Sequence, residues 1–271
     1  MKNLKVMKRI ITIIVAFAIP VVMMGQTKKF EYIPKVKGKV EITNLLGEVS
    51  LQNTSGSAIV IESDFNLEKP ERADGLKLLG AAEDNTDLGI NVSEENGVIV
   101  IQGATRQVRD YKYKISIPAG MAVNLDYNSP FAKSDITVDS FNGSLEIKTL
   151  NANVKITKST GPFTINTISG NLEVVFDKLN QNEPTSLATI SGFLDISLPT
   201  SEKANIEINT INGNVYNNLD LKTVAKESGK DKLAYGMDVI KMKGSNSYTL
   251  NGGGQKLFLK SISGNIYLRK K

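Results

Sequence analysis

The chain has 271 residues, with 33 Lys and Arg against 28 Asp and Glu and a formal net charge of +5. It contains no Cys, no His and no Trp, which excludes disulfides, Cys-based metal sites, Ser-His triads and the commonest zinc ligand. Four of the basic residues lie in the first 25 positions, so the rest of the chain carries 29 basic against 28 acidic residues. Such a balance lacks the clustered positive charge of a nucleic-acid binder. We therefore expect no nucleic-acid partner, no cofactor, no metal site and no catalytic residue.

The first 25 residues have the pattern of a secretory signal peptide. Residues 10–24 form an apolar run that ends before Gly25, and a positive segment precedes it, made of Lys2, Lys5, Lys8 and Arg9. An uncleaved membrane anchor is the alternative, but a spanning helix needs about 20 apolar residues, and this shorter run contains Pro20. We predict cleavage near Gln26, no transmembrane span in the mature chain, and export to the periplasm, the outer membrane surface or the extracellular space.

Short alternating segments follow in the first half of the mature chain. Weak repeat rows centre on Gly38, Gly47 and Gly56, nine residues apart, and residues 68–85 predict a polar loop with a short helical turn. Residues 89–93 and 98–102 predict a hairpin closed at Asn96-Gly97. Two further strands are predicted over residues 111–117 and 121–125.

One phrase recurs in the second half of the chain: two alternating apolar residues, then Thr or Ser, an apolar residue, Ser or Asn, Gly, and alternation again. The centres of the repeat are nine residues apart from Gly143 to Gly170, and the later centres are separated by about twice that length or more. The interruption at residues 220–246 predicts a charged, solvated loop. The copies centre on residues 140–143, 167–170, 189–192, 210–213 and 261–264.

Alternation of apolar and polar residues is typical of strands with one buried face. Gly after Ser or Asn indicates a sharp bend with positive φ. We expect the apolar residue two before each Gly to point inward and fill the corner, namely Ile168, Ile190, Ile211 and Ile262.

Two short strands and their corners would make one coil, and stacked coils would bury one continuous core. The sequence therefore predicts an all-β, right-handed β-solenoid that forms a single domain over residues 26–271, after the signal peptide 1–25. An antiparallel β-sandwich is the alternative fold.

Two details of the surface are predicted from this stacking. Lys155, Glu173, Asp195 and Tyr216 each follow their corner by three residues and should form an outward column. The repulsion between the neighbouring carboxylates of Glu173 and Asp195 would be reduced by a lysine from a neighbouring loop or by a loosely bound divalent cation. The last strand should form an exposed edge, where Arg269, Lys270 and Lys271 would repel identical copies and keep the chain monomeric.

The phrase Thr167-Ile-Ser-Gly-Asn-Leu-Glu-Val resembles the β-strand-repeat, adhesin-like family of bacterial envelope proteins, whose function is unknown. Three further segments are similar to its Gram-negative branch, and the resemblance runs from about residue 30 to residue 268. They begin at Arg72, at Tyr113 and at Leu250. The resemblance implies a β-helix-like fold and carries no catalytic residues.

Two classes of function fit these observations. The first is a non-enzymatic cell-envelope or surface protein, an adhesin-like binding or structural module for an envelope glycan or protein. The second is a carbohydrate-active enzyme, a polysaccharide lyase or hydrolase on a β-helix. Arg106 and Arg109 beside Asp110 are the residues nearest to such an active site, but a surface salt bridge is the explanation that we favour for them. An open ladder of Ser, Thr, Asn and Tyr would favour the binding module.

Overall fold

The computed structural model describes residues 27–66, 71–76, 83–104, 111–132, 134–224 and 245–271. This part of the chain contains one short 3-10 helix, Glu71–Ala73, and is otherwise built from strands. The strands of the first half are β1 Lys28–Tyr32, β2 Lys39–Thr43, β3 Glu48–Thr54, β4 Ile59–Ser63, β5 Ile90–Glu95, β6 Val98–Gly103, β7 Lys112–Pro118, β8 Ala122–Tyr127 and β9 Ile136–Asp139. Those of the second half are β10 Leu145–Thr149, β11 Val154–Ser159, β12 Phe163–Thr167, β13 Leu172–Phe176, β14 Thr185–Thr189, β15 Leu194–Leu198, β16 Ala204–Thr210, β17 Val215–Asn217, β18 Leu221–Thr223, β19 Ser245–Leu250, β20 Gln255–Ser261 and β21 Ile266–Lys270.

The strands form two sheets, and the chain passes from one to the other at each corner. Sheet A has the order β1-β4-β7-β3-β9-β11-β13-β15-β21-β17. Sheet B has the order β18-β19-β16-β20-β14-β12-β10-β8-β2-β6-β5. From β8 to β15 each coil gives one strand to each sheet.

Successive coils pair in parallel and in register. Leu145 of β10 lies opposite Phe163 of β12, and Val154 of β11 lies opposite Leu172 of β13. Parallel pairing between coils excludes the antiparallel β-sandwich for this part of the chain, because a sandwich is built from antiparallel neighbours. The prediction of an all-β stack of short strands is confirmed, and its right-handed sense stays a prediction.

Both ends of the stack depart from chain order. Strands β20 and β21 form a coil that is inserted between the coil β14–β15 and the coil β16–β17. In the same way the coil β2–β3 is inserted between the coils β6–β7 and β8–β9. The prediction that the last strand forms an exposed edge is therefore wrong, since β21 pairs with β15 on one side and β17 on the other.

Because successive side chains of a strand point to opposite faces, every second side chain lies in the space between the two sheets. The inward residues are mainly Ile, Val and Leu, and they form a single buried cluster that extends from Val40 to Leu268. Because each coil buries its own row only against its neighbours, the stack is stabilised by contacts between coils rather than within them. Side chains that point outward, such as those of Glu173 and Asp195, do not take part in the core and remain partly exposed to solvent.

The corners differ from the prediction in two respects. Thr167 and Thr189 point inward, and the hydroxyl of each accepts a hydrogen bond from the glycine N–H three residues later, at 2.9 and 3.0 Å. Strict alternation then turns the next residue outward. The isoleucines expected to fill the corners are instead on the surface: Ile168, Ile190 and Ile211 are 44%, 42% and 54% exposed, and Ile262 is partly exposed.

The glycines of the five repeat copies do not have the positive φ that their sequence context suggested, whereas Gly161, between two of these copies, has a φ of 81°. A Cβ on Gly192 would overlap the carbonyl oxygen of Gly170 in the neighbouring coil. The same overlap relates Gly264 to Gly192, so glycine is needed for close stacking of coils rather than for a left-handed turn.

The elements outside the main repeat agree with their predictions where they are described. Strands β5 and β6 form the expected antiparallel hairpin, with Asn96 and Gly97 at φ 52° and 77°. Such angles are those of a type I′ turn. The loop predicted over residues 68–85 contains the 3-10 helix and is only partly described. The signal peptide 1–25 lies outside the described residues. So does most of the charged loop predicted over residues 220–246, but its described ends belong to strands β18 and β19 rather than to a loop.

In the described segments no helix is long and apolar enough to cross a membrane.

Candidate functional site

The outer face of sheet A carries a column of polar, charged and aromatic side chains, which we call the face column. In stacking order it consists of Lys155, Glu173, Asp195, Tyr267 and Tyr216. The predicted column of Lys155, Glu173, Asp195 and Tyr216 is confirmed with one addition. Tyr267 lies between Asp195 and Tyr216 because the coil β20–β21 is inserted there.

The like charges of Glu173 and Asp195 are each matched by a cation of sheet A. Lys155 Nζ lies 3.8 Å from Glu173 Oε2. Arg269 binds Asp195 with two nitrogens: Nε donates to Oδ1 at 2.7 Å, and Nη2 donates to Oδ2 at 2.9 Å. This hydrogen bonding raises the pKa of Arg269 above its usual value. The cation beside Asp195 is thus an arginine of the adjacent strand, rather than the predicted lysine from a neighbouring loop.

Three aromatic rings stand at the end of the face column nearest β17. The rings of Tyr216 and Tyr267 stack with centroids 5.3 Å apart and planes inclined by 11°. Phe193 meets Tyr267 edge-on at 6.2 Å, and the guanidinium of Arg269 lies 5.5 Å from the Tyr267 centroid. Tyr216 remains 53% exposed. A shallow groove of about 200 Å³ runs beside these rings, lined by Tyr216, Asn217, Asn218, Tyr267, Leu268 and Arg269.

The other end of the face column is polar. A groove of about 270 Å³ is bordered there by Asn153, Asn171 and Lys155, among others. The Asn side chains form a ladder along the corners: Asn153 Oδ1 accepts from the backbone N–H of Asn171 at 3.0 Å, and Asn171 Oδ1 accepts from Phe193 at 3.1 Å. These bonds fix the corner backbone, and the Asn153 amide in addition donates to Asp135 Oδ1 at 3.0 Å.

Sheet B has a surface of a different kind. The exposed side chains of Ile168, Ile190 and Ile262 line a groove of about 420 Å³ whose rim carries Lys148 and Lys260. Lys148 is held by Glu146 at 2.7 Å. Isoleucine side chains offer contact area but no hydrogen bonds, so the groups of this groove that could orient a ligand are Asn128, Asn166 and the two lysines. The alternation of the strands, which turns the residue after the inward Thr outward, was the signal that could have revealed it.

The described residues contain no group of three or more His, Cys, Asp or Glu side chains placed to hold a metal ion. The two neighbouring carboxylates of the face column are engaged by Lys155 and Arg269, as above. Arg106, Arg109 and Asp110, the residues named for an enzymatic function, lie outside the described residues.

Residues 131–243 match the model of a protein family described as Toastrack DUF4097. This segment includes strands β9 to β18, and the match confirms the resemblance that the repeated phrase predicts. No curated protein matches the chain.

Two solved structures are similar to the chain at low identity. One is a putative cell adhesion protein from Clostridium sporogenes, with a TM-score of 0.43 and 12% identity over 91% of this chain and 100% of that chain. The other is a putative adhesin from Bacteroides fragilis, with a TM-score of 0.41 and 10% identity over 91% of this chain and 97% of that chain.

Proposed function

We propose that the protein is a non-enzymatic binding module of the cell envelope or cell surface, and that it contacts its ligand with the face column on sheet A. The observation that carries this proposal is the face column itself, an open row in which Lys155, Glu173, Asp195, Tyr267 and Tyr216 stand on one side of the sheet. A flat row of this kind suits an extended polymer or a flat partner surface better than a small enclosed substrate.

The rigidity of the column supports binding. Its backbone lies in continuous parallel ladders, and its charged groups are held by one another before any ligand arrives. A surface organised in advance loses little side-chain freedom when it binds. The same face provides both hydrogen-bonding groups and aromatic rings, and these are the groups that fix the orientation of a ligand.

A carbohydrate-active enzyme, either a polysaccharide lyase or a hydrolase, is the alternative function. Hydrolases place two carboxylates on either side of the scissile bond, about 5–9 Å apart. Glu173 and Asp195 are neighbours on sheet A, but each is neutralised by a cation and both stand on an open face. This arrangement favours binding over hydrolysis. Incubation with envelope polysaccharides should release no new reducing ends or unsaturated products.

Co-sedimentation with isolated envelope tests the binding function. Residues 26–271 should sediment with the envelope of the native host, and Glu173→Arg should weaken this because it reverses a charge in the face column. Glu146→Arg is the matched control, since Glu146 is also a partly exposed strand glutamate paired with a lysine, on sheet B. Failure of the wild type to sediment, or equal weakening by both variants, would contradict the proposal.

The proposed location depends on the signal peptide predicted over residues 1–25. Mass spectrometry of the protein from its native host should find a mature N-terminus near Gln26 in an exported fraction. A chain that begins at Met1 and stays in the cytoplasm would contradict it.

A further inference from the structure

We infer that the aromatic end of the face column is a subsite for an uncharged sugar ring of a glycan. The subsite consists of Tyr216, Tyr267, Arg269 and Asn218, which line the groove of about 200 Å³. This inference rests on the proposed binding function and adds to it the chemical class of the ligand.

The first argument is the exposed ring of Tyr216. An aromatic ring has a negative face and a positive edge, and the C–H groups on one side of a pyranose ring fit against such a face. Tyr216 keeps about half of its surface exposed although Tyr267 stacks on one side of it. Packing against Tyr267 and, through it, Phe193 holds the ring in place, so a sugar would meet a platform that is already ordered.

The second argument is the set of polar groups around that ring. Arg269 uses Nε and Nη2 for Asp195, which leaves its other N–H groups to donate to a hydroxyl. The side-chain oxygen of Asn218 accepts from the backbone N–H of Lys270 at 2.7 Å, and its amide N–H₂ is left to donate. Among the described residues the hydroxyl of Tyr216 has no hydrogen-bond partner, and that of Tyr267 accepts from Asn265 at 3.2 Å and still holds a proton. Sugar hydroxyls both donate and accept, and thus match this mixture.

The third argument is charge. Arg269 is matched by Asp195, and the neighbouring Lys270 is matched by Asp220 at 2.8 Å. An anionic sugar would have to compete with carboxylates that already hold both cations. The groove therefore favours a neutral ring over a uronic acid or a phosphorylated sugar.

Titration with defined oligosaccharides tests the inference. Residues 26–271 are titrated with tetrasaccharides of β-linked glucose, N-acetylglucosamine and galactose, and with a tetrasaccharide of galacturonic acid, and binding is followed by ligand-detected NMR. We expect at least one neutral tetrasaccharide to bind, and to bind more tightly than the anionic one. Tyr216→Ala should weaken that binding roughly tenfold or more, whereas Tyr216→Phe, which keeps the ring, should stay within roughly threefold.

The control is Phe131→Ala, which removes another strongly exposed aromatic side chain outside the groove and should leave binding unchanged. Thermal melting of each variant confirms that it is folded. The inference is overturned if no neutral tetrasaccharide binds, if Tyr216→Ala binds as the wild type does, or if the anionic tetrasaccharide binds most tightly. If any of these occurs while the envelope still retains the wild type and not Glu173→Arg, the sugar subsite is wrong and the binding module stands. Loss of envelope binding by the wild type contradicts the binding module itself.

Discussion

At the scale of single residues, the corners of the repeat depend on the absence of one carbon atom. The backbone at Gly192 lies so close to the carbonyl oxygen of Gly170 that a Cβ has no room. The Gly170 carbonyl lies in the corner between β12 and β13 and accepts from the Thr189 hydroxyl at 3.1 Å, so moving it would disturb the contact between two neighbouring coils. A substitution there acts on the spacing between coils rather than on local backbone freedom.

We expect Gly192→Ala to lower the free energy of unfolding by at least the 1–3 kcal/mol or so that overpacking usually costs. Gly56→Ala is the control, because a Cβ there would meet only the Thr54 hydroxyl at 3.6 Å. It should change the stability by less than about 0.5 kcal/mol. Urea unfolding followed by circular dichroism measures both, and equal losses would show that coil spacing is not what Gly192 protects.

The inward threonines are a second residue-scale feature. Thr189 Oγ1 accepts from the Gly192 N–H at 3.0 Å and donates to the Gly170 carbonyl at 3.1 Å. Thr189→Val keeps the shape but leaves buried polar groups without partners, and should lower the free energy of unfolding by about 1–3 kcal/mol. Thr164→Val, at an exposed outward position of β12, should change it by less than about 0.5 kcal/mol. If Thr189→Val left the free energy of unfolding unchanged in the same urea experiment, the corner would not need this hydroxyl.

At the scale of elements, a side-chain bond links the outermost strands of the two sheets. Tyr32 on β1 donates to Glu94 on β5 at 2.6 Å, and Glu94 also accepts from the backbone N–H of Lys35 at 3.2 Å. The hydrogen bond from Tyr32 is the main cause that lowers the pKa of Glu94 below its usual value. This clasp closes the end of the stack that β1 and β5 form.

The clasp predicts a dependence of stability on acid. Because the pKa of Glu94 is lower in the folded state than in the unfolded state, its carboxylate stabilises the fold above the unfolded pKa. That contribution is lost as the pH falls through the folded pKa. Between neutral pH and about pH 3, the free energy of unfolding should fall less steeply in Tyr32→Phe than in the wild type. Tyr216→Phe removes a tyrosine hydroxyl that does not touch Glu94 and should keep the wild-type slope, and an unchanged slope in Tyr32→Phe would contradict the role of the clasp.

At the scale of the whole molecule, the ends of the stack are built against further strand addition. One end presents β17 and β18, of three residues each. The other presents β1 and β5, whose sequences carry Lys28, Lys29, Glu31, Glu94 and Glu95. Short or charged edges pair poorly with another copy.

We therefore expect residues 26–271 to be monomeric by light scattering at all concentrations tested. Replacing Arg269, Lys270 and Lys271 by Gln should leave the mass unchanged and lower the melting temperature, because each is paired within the chain, with Asp195, Asp220 and Asp177. A mass that rises with concentration in the wild type would refute the monomer. If the triple variant assembled and the wild type did not, these three cations would prevent self-association, as the sequence first predicted.

The sequence predicted the strands and most of the face column because alternation and spacing are local properties of the chain. It could not predict which coil lies beside which. The inward rows of β13, β15 and β21 are all short and apolar, and many stacking orders would bury them equally well. Tyr267 was missed from the face column for this reason, and with it the pairing of Arg269 with Asp195.

The prediction for the corners was wrong for a different reason. Placing Ile168 inside treated apolar character as decisive, whereas the buried hydroxyl of Thr167 has a backbone N–H to bind and thus needs no water. The Thr or Ser three residues before each corner Gly or Ala, as at Thr149, Thr167, Thr189, Thr210 and Ser261, was the pattern that carried this information.

The inserted coil separates the order of synthesis from the order of assembly. As the chain emerges, β16 and β17 are complete before residues 255–270 exist, yet their parallel neighbours are β20 and β21. The growing stack can add coils in sequence only from β8 to β15, and the next layer must wait until β20 and β21 have been made. Such long-range closure is slow, and it leaves apolar strands open meanwhile. The stack therefore cannot be completed until nearly the whole chain has been made.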